Sequence, residues 1–370
     1  MLNRKGRLGL ATLACVGLAI AMSKPAAAWD RESDLVQNFP VPSGFPMVEG
    51  LTVDSNGNVY TPTFNPLGSA PSQLFTFGPD GSLKNSVRIK GSSQAMLGLA
   101  FRPPGPPQTN ELLIIDFGAG QVLSVNPMNG NAKPCITLPT SSQGPNQAGS
   151  GLNALTFDKA GAIYVSDSFQ GIIWRFSPLE SGSPCGQATA WVTDPLLLPD
   201  NGVPGFGANG VEFNNEQNTM FVCNTAMDWI VQIPFSGGTG GSHGTPVMFT
   251  NSINGCDGIA IDIHDNIWAA ANQADEMVVV DPTGKVIAKL GDFDGINGGK
   301  TKGLLFPASP AFSPDGQSLW VTNLELDLRS ITKSTQHPDG IQTVDSQWAA
   351  EITTHSIAKI PVPATFPFFQ

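Results

Sequence analysis

The chain contains the stretch Asp257-Gly-Ile-Ala-Ile-Asp262, in which a polar and a small residue precede an apolar alternation that ends at a turn. Five related stretches share this pattern. They are Glu49-Gly-Leu-Thr-Val-Asp54, Leu97-Gly-Leu-Ala-Phe-Arg102, Asn153-Ala-Leu-Thr-Phe-Asp158, Asn209-Gly-Val-Glu-Phe-Asn214 and Ala308-Ser-Pro-Ala-Phe-Ser313. Their first residues are 48, 56, 56, 48 and 51 positions apart. A period of about fifty residues is typical of repeat architectures such as propellers.

Each copy of this phrase is followed by a turn rich in Asn, Gly or Asp and then by further apolar segments. The second segments are residues 58–61, 112–115, 162–165, 220–223, 266–269 and 318–321, and third segments are evident at 73–77, 121–125, 172–176 and 277–280. Several short strands in each unit, repeated six times, predict an all-β, six-bladed β-propeller. A single unit cannot bury both faces of its own sheet, so neighbouring units must stack.

The predicted organisation is a signal peptide over residues 1–28 and one propeller domain over residues 29–370. We expect residues 356–363 to close the ring beside residues 35–39. The polar segment 325–350 has no counterpart in the other units, so we interpret it as an insertion in the last blade.

Composition excludes several classes of protein. The 370 residues are 41% apolar and only 13% charged, unlike a disordered chain. The net charge of −11 disfavours a nucleic-acid partner, because phosphate binding needs a basic face. The 31 prolines disfavour a helical protein.

The N-terminus has the pattern of a secretory signal. Arg4, Lys5 and Arg7 precede the apolar residues 8–22, and a cleavage site follows at Ala26-Ala-Ala28. The apolar run is shorter than the roughly 20 residues that span a bilayer. We expect a periplasmic or secreted protein without membrane attachment after cleavage; the alternative is an uncleaved anchor.

Four cysteines remain after residue 28: Cys135, Cys185, Cys223 and Cys256. An exported protein permits disulfides. The pair Cys135–Cys185 is favoured because both residues follow proline at equivalent places in successive repeats. Other pairings, or four buried thiols, remain open.

The first residue of the repeated phrase lies where the inner strand of a propeller blade approaches the central axis. In chain order this position holds Glu49, Leu97, Asn153, Asn209, Asp257 and Ala308. Two converging carboxylates would repel one another, and a divalent cation would remove that repulsion. Calcium suits carboxylate and amide oxygens, whereas zinc would more often use His or Cys. Strand or turn capping is the alternative role for these four polar residues.

The phrases at Glu49, Asn153, Asn209 and Asp257, in this order and spacing, resemble the senescence marker protein/gluconolactonase family over about residues 40–325. The wider group includes calcium-dependent phosphotriesterases and strictosidine-synthase-like proteins. The resemblance implies a six-bladed propeller in which these four residues hold a catalytic divalent metal, most simply Ca²⁺.

We therefore expect an exported, metal-dependent hydrolase of a lactone or related ester, with a small-molecule substrate. Asp257 is the candidate catalytic base or nucleophile, and Glu49 the candidate pure ligand. The alternatives are a non-catalytic propeller that binds a small molecule or protein around a structural calcium, and a strictosidine-synthase-like enzyme. Aromatic residues are expected to line the mouth of the site: Phe64, Phe117, Phe169, Phe206 and Trp229. Substrate identity and oligomeric state stay open.

Overall fold

The computed structural model describes residues 35–103, 111–138, 149–177, 185–200, 205–237, 241–333 and 338–362. The predicted signal peptide, residues 1–28, lies outside these ranges. The described chain is nearly all β and forms a six-bladed propeller, as the repeat predicted. The innermost strands of successive blades contact one another in a closed ring.

The first three blades are regular four-stranded antiparallel sheets whose strands follow chain order from the axis outward. Blade 1 consists of Thr52–Val53, Val59–Pro62, Gln73–Phe77 and Leu83–Arg88. Blade 2 consists of Met96–Phe101, Leu112–Asp116, Gln121–Val125 and Ala132–Thr137. Blade 3 consists of Leu152–Phe157, Ile163–Asp167, Ile172–Phe176 and Ala188–Thr193.

The last three blades continue the ring. Blade 4 consists of Ala208–Phe213, Thr219–Asn224, Trp229–Ser236, Ser242–His243 and Val247–Asn251. Blade 5 consists of Cys256–Ile261, Ile267–Ala271, Glu276–Val280 and Val286–Leu290. Blade 6 consists of Pro307–Phe312, Ser318–Asn323, Ser356–Pro361 and Gln37–Pro40. A hairpin of Phe293–Asn297 and Lys300–Gly303 separates blades 5 and 6.

The ring closes by pairing the two ends of the described chain. Strand Gln37–Pro40 lies antiparallel to Ser356–Pro361, with Phe39 opposite Ile357. The predicted closure is therefore confirmed. Because blade 6 takes one strand from the N-terminal side and three from the C-terminal side, the ring cannot open without breaking this ladder.

Burial follows the stacking of the blades. The second strands Leu112–Asp116 and Ile163–Asp167 are buried along their whole length, because neighbouring blades cover both of their faces. The outer strand Leu83–Arg88 is largely exposed. The continuous apolar runs of the second strands in the sequence therefore mark the layer between blades.

A β-bulge near the start of the inner strand recurs in blades 2 to 6. Each bulge includes the small residue of the repeated phrase. A Cβ atom on Gly98 would lie 2.7 Å from the carbonyl oxygen of Asn153, and one on Gly258 would lie 2.6 Å from that of Ala308. The small residue thus allows adjacent inner strands to approach at the axis, where the phrase's first residue is displayed.

Two disulfides join neighbouring blades, Cys135–Cys185 and Cys223–Cys256. The favoured first pairing is confirmed, and the hypothesis of four free thiols is wrong. No described helix is long and apolar enough to cross a membrane.

Short helices follow the second strand of blade 6, within the predicted insertion. They are Leu328–Ile331 and Val344–Ala349. Asp327 caps the first by accepting from Arg329 N at 3.1 Å, and Thr343 caps the second by accepting from Ser346 N at 3.1 Å. Three 3₁₀ turns follow second or fourth strands elsewhere: Phe117–Ala119, Pro195–Leu197 and Asn272–Ala274.

Candidate metal centre

The structure brings Glu49, Asn153, Asn209 and Asp257 around one small cavity at the axial ends of the inner strands. The cavity has a volume of about 40 Å³, and the four residues are only 3–5% exposed. Their convergence from four blades agrees with the geometric expectation from the repeat. Their role as metal ligands stays a prediction.

A hydroxyl relay orients the amide of Asn153. Its Nδ2 donates to Ser168 Oγ at 3.1 Å, and that hydroxyl donates to the backbone oxygen of Ala208 at 2.6 Å. The nitrogen is therefore anchored to the wall of the cavity. No described group donates to the amide oxygen, which remains available to a cation.

The next two blades repeat this support. Asn209 Nδ2 donates to Thr225 Oγ1 at 2.8 Å, and Thr225 donates to the Cys256 oxygen at 2.7 Å. In blade 5, Asn272 Nδ2 donates to Asp257 Oδ2 at 3.0 Å. The Ser168 and Thr225 relays each end on the residue just before the next blade's axial side chain, so they link Asn153, Asn209 and Asp257 mechanically.

Nothing in the repeated phrase itself points to Ser168, Thr225 or Asn272. The three residues occupy one structural position, directly after the second-strand residue that pairs with the start of the inner strand. Across the six blades this position reads Phe64, Phe117, Ser168, Thr225, Asn272 and Leu324. It is polar only in the three blades that carry Asn153, Asn209 and Asp257. The polarity of this position thus varies together with the axial residue of the same blade. This is the sequence signal that identifies Ser168, Thr225 and Asn272.

Burial dominates the electrostatics of the two axial acids. Loss of hydration raises the pKa of Asp257 to about 7, and hydrogen bonds from Asn272 and Asn209 offset only part of this effect. Burial and the nearby Asp257 charge raise the pKa of Glu49 well above its usual range. Two ionised carboxylates are therefore unfavourable here unless a positive charge joins them.

The donor set fits a hard divalent cation. Glu49 Oε2 and Asp257 Oδ1 are buried and accept no hydrogen bond. Unpaired buried acceptors are costly, and a cation would satisfy them. No three His, Cys, Asp or Glu residues cluster within the described ranges, so this set depends on amide as well as carboxylate oxygens, as calcium permits.

The remaining cavity wall is apolar. It is formed by Phe64, Leu97, Phe206, Phe306, Leu324, Leu326 and Ile331. Phe117 and Phe169 join Phe64 and Phe206 in a chain of ring contacts with centroids 5.3–6.2 Å apart. We name these four phenylalanines the aromatic rim. The prediction for Trp229 is wrong: its indole donates to the Leu196 oxygen at 3.1 Å and packs in the core instead.

The other polar candidates have structural partners. Asp167 accepts from Gly151 N and from the Trp174 indole, and Asn224 donates to two loop carbonyls. These contacts join the ends of the second strands to neighbouring backbone and loops. Of the described histidines, His243 and His264 are exposed, and none lines the cavity. His337 lies outside the described residues.

Comparison with known proteins decides the family resemblance. Residues 205–325 match a family model described as the SMP-30/Gluconolactonase/LRE-like region, which includes Asn209 and Asp257. This stretch of the chain is similar to the SMP-30/gluconolactonase/LRE-like region. The resemblance predicted from the repeated phrases is confirmed. No curated protein matches this chain by sequence.

Solved structures with the same architecture have diverse names. The chain is 18% identical to regucalcin, a calcium-binding protein from Agrobacterium tumefaciens, with a TM-score of 0.57 and coverage of 89% of this chain and 97% of that one. It is 14% identical to a gluconolactonase from Xanthomonas campestris, with a TM-score of 0.57 and 89% coverage of both chains. It is also 14% identical to virginiamycin B lyase from Staphylococcus aureus, with a TM-score of 0.53 and coverage of 89% and 99%. Identities this low show the six-bladed fold and leave the chemistry of this chain to its own residues.

Proposed function

We propose that this protein binds a divalent cation, Ca²⁺, at the axial cavity and hydrolyses a lactone or related ester there. The observation that carries the proposal is the pair of buried acids with unbonded oxygens, Glu49 Oε2 and Asp257 Oδ1, facing one cavity. The ionised form of such a pair is unfavourable unless a positive charge binds between the two carboxylates.

Glu49, Asn153, Asn209 and Asp257 would hold the ion. Bound calcium would supply Lewis-acid polarisation of a substrate carbonyl. Four protein side chains are fewer than the six to eight oxygens that calcium takes, which leaves coordination positions for water and substrate. The regucalcin-like relative named as a calcium-binding protein supports this choice of metal.

Asp257 would act as the proton acceptor. Asn272 donates to one of its carboxylate oxygens, Oδ2, and the other, Oδ1, has no hydrogen-bond partner. This oxygen would take a proton from water as the water oxygen bonds to the carbonyl carbon. The carbon–oxygen bond of the ester then breaks, and the proton passes to the departing alkoxide, so that acid and alcohol result.

We also propose that the protein works outside the cytoplasm. The N-terminal pattern of basic residues, apolar run and small residues is that of an export signal. The two disulfides support an oxidising compartment.

A non-catalytic calcium propeller is the second candidate, and the small cavity volume of about 40 Å³ favours it. One experiment separates the two functions. The purified protein is assayed for bound metal and for hydrolysis of a panel of lactones and esters, with calcium and with chelator. We expect calcium-dependent hydrolysis; bound calcium without turnover would support the second candidate, and turnover indifferent to chelator would contradict the metal mechanism.

Replacing Thr225 tests the hydroxyl relay. Thr225→Val keeps the shape of the side chain but leaves the Asn209 amide nitrogen without its acceptor. We expect calcium affinity to fall about 10- to 100-fold, as for other residues that orient metal ligands. Titration calorimetry measures this change. Thr156→Val is the control, because Thr156 is also buried but its hydroxyl donates to Glu212. An equal loss of calcium affinity in both variants would show that the relay has no special role.

A further inference from the structure

The axial cavity has two chemically different sides. Blades 3 to 5 and Glu49 supply its polar side, whereas blades 6, 1 and 2 supply Phe306, Leu324, Phe64 and Leu97. The residue directly after the one that pairs with the start of the inner strand is polar in blades 3 to 5 and apolar in blades 6, 1 and 2. The repeat therefore places most of the apolar lining in consecutive blades, and Phe206, from the loop before blade 4, adds one ring to the polar side.

The predicted insertion extends the apolar side. Leu326 follows the second strand of blade 6, and Ile331 is the last residue of helix Leu328–Ile331; both line the cavity. Leu326 is 4% exposed, and Ile331 is only partly buried. The segment without counterpart in the other blades thus adds two apolar side chains to the cavity lining.

Phe306 occupies the wall in a backbone conformation that few residues other than glycine adopt. Its φ is +50°, yet its ring is buried. Asp275 holds this conformation by accepting from the Phe306 N–H at 2.7 Å, while the Phe306 oxygen accepts from Leu324 N at 3.0 Å. Such strain persists only where surrounding contacts enforce it, and it concentrates at functional sites.

The aromatic rim provides the approach to this wall. Phe117, Phe169 and Phe206 are partly exposed, whereas Phe64 is buried in the cavity lining. The rings form a continuous apolar surface from the outside to the ion site. A substrate that enters along this surface loses water from whatever groups face it.

We propose that the substrate is an ester or lactone with an alkyl or aromatic group beside the scissile carbonyl, and that Phe306 determines this specificity. The inference rests on the proposed function and names its substrate class. The polar oxygens of the cavity are engaged with the cation, so a hydroxyl group on the apolar side would lose its hydration without gaining a partner. A polyhydroxylated sugar lactone is therefore disfavoured.

The test compares an alkyl-substituted δ-lactone with a polyhydroxylated δ-lactone of the same ring size, using the calcium-loaded full chain. We expect kcat/KM to be about 100-fold higher for the alkyl lactone. Equal or faster turnover of the polyhydroxylated lactone would overturn this inference and leave the proposed hydrolase intact. Binding of each lactone is measured in parallel by calorimetry. Binding of the alkyl lactone without turnover would support the apolar preference but contradict the proposed hydrolase activity. If the alkyl lactone is neither bound nor hydrolysed, both the preference and the activity are contradicted.

Variants of Phe306 test its role in specificity. Phe306→Ala is expected to raise KM for the alkyl lactone about 10-fold, to change kcat little, and to leave calcium affinity unaltered; Phe306→Leu should restore part of the loss. Phe249→Ala is the control, because Phe249 packs against Phe221 away from the cavity lining. An unchanged ratio of kcat/KM between the two lactones in Phe306→Ala would overturn the assignment of specificity to this residue.

Discussion

Asp257→Asn is expected to lower kcat/KM for ester hydrolysis about 10³-fold and to weaken calcium binding in the same protein. The carboxylate supplies both a negative charge for the ion and a proton acceptor, and general-base catalysis alone contributes about 10²- to 10⁴-fold. The amide keeps the size of the side chain and can still accept the Asn272 hydrogen bond. Steady-state kinetics and titration calorimetry measure the two effects.

The same substitution should stabilise the protein in the absence of calcium. Burial raises the pKa of Asp257 to about 7, so an ionised carboxylate at pH 8 destabilises the fold, by about 2 to 4 kcal/mol. We expect a higher melting temperature in chelator than for the wild type. The control is Asp294→Asn, in the exposed Lys302 ion pair. Retained activity in Asp257→Asn would remove this residue from the mechanism, and a lower melting temperature in chelator would contradict the buried-charge account.

The stability of the cation-free protein is expected to fall as pH rises from about 4 to 7. Asp257 has a higher pKa in the folded state than in the unfolded chain, so the folded state binds more protons within this window. The raised pKa of Glu49 acts in the same direction. Calcium must displace these protons, and its stabilising effect should therefore grow with pH. At calcium 100-fold above Kd we expect about 2.7 kcal/mol at pH 8, or about 5 °C in Tm, and much less at pH 5.

Melting curves at pH 5 and pH 8, each with calcium and with chelator, measure this dependence. Burial also raises the pKa of Glu212 and Glu325, but these acids lie outside the axial cavity lining and respond equally in both media. The difference between calcium and chelator therefore isolates the axial pair. A calcium effect of equal size at both pH values, or one that persists in Asp257→Asn, would show that the ion binds elsewhere.

The repeat made the architecture and the axial residues predictable. The alternation after Glu49, Asn153, Asn209 and Asp257 is local, and a period near fifty residues places the first residue of each phrase at the same depth in every blade. Trp229 failed as a mouth residue because proximity to a loop does not determine side-chain direction. Its indole donates a hydrogen bond to the backbone oxygen of Leu196 and packs against the core.

Sequence alone determined the number of blades, the order of their strands and which residues reach the axis, because each of these follows from local periodicity repeated along one chain. Tertiary structure alone decided the pairing of Cys223 with Cys256, the support of Asn209 by Thr225, and the apolar half of the cavity. These features join segments whose distance depends on how the ring closes. The burial and the pKa of a side chain also depend on the residues that surround it in the folded ring. Those residues come from several blades, so the sequence of one repeat does not contain them.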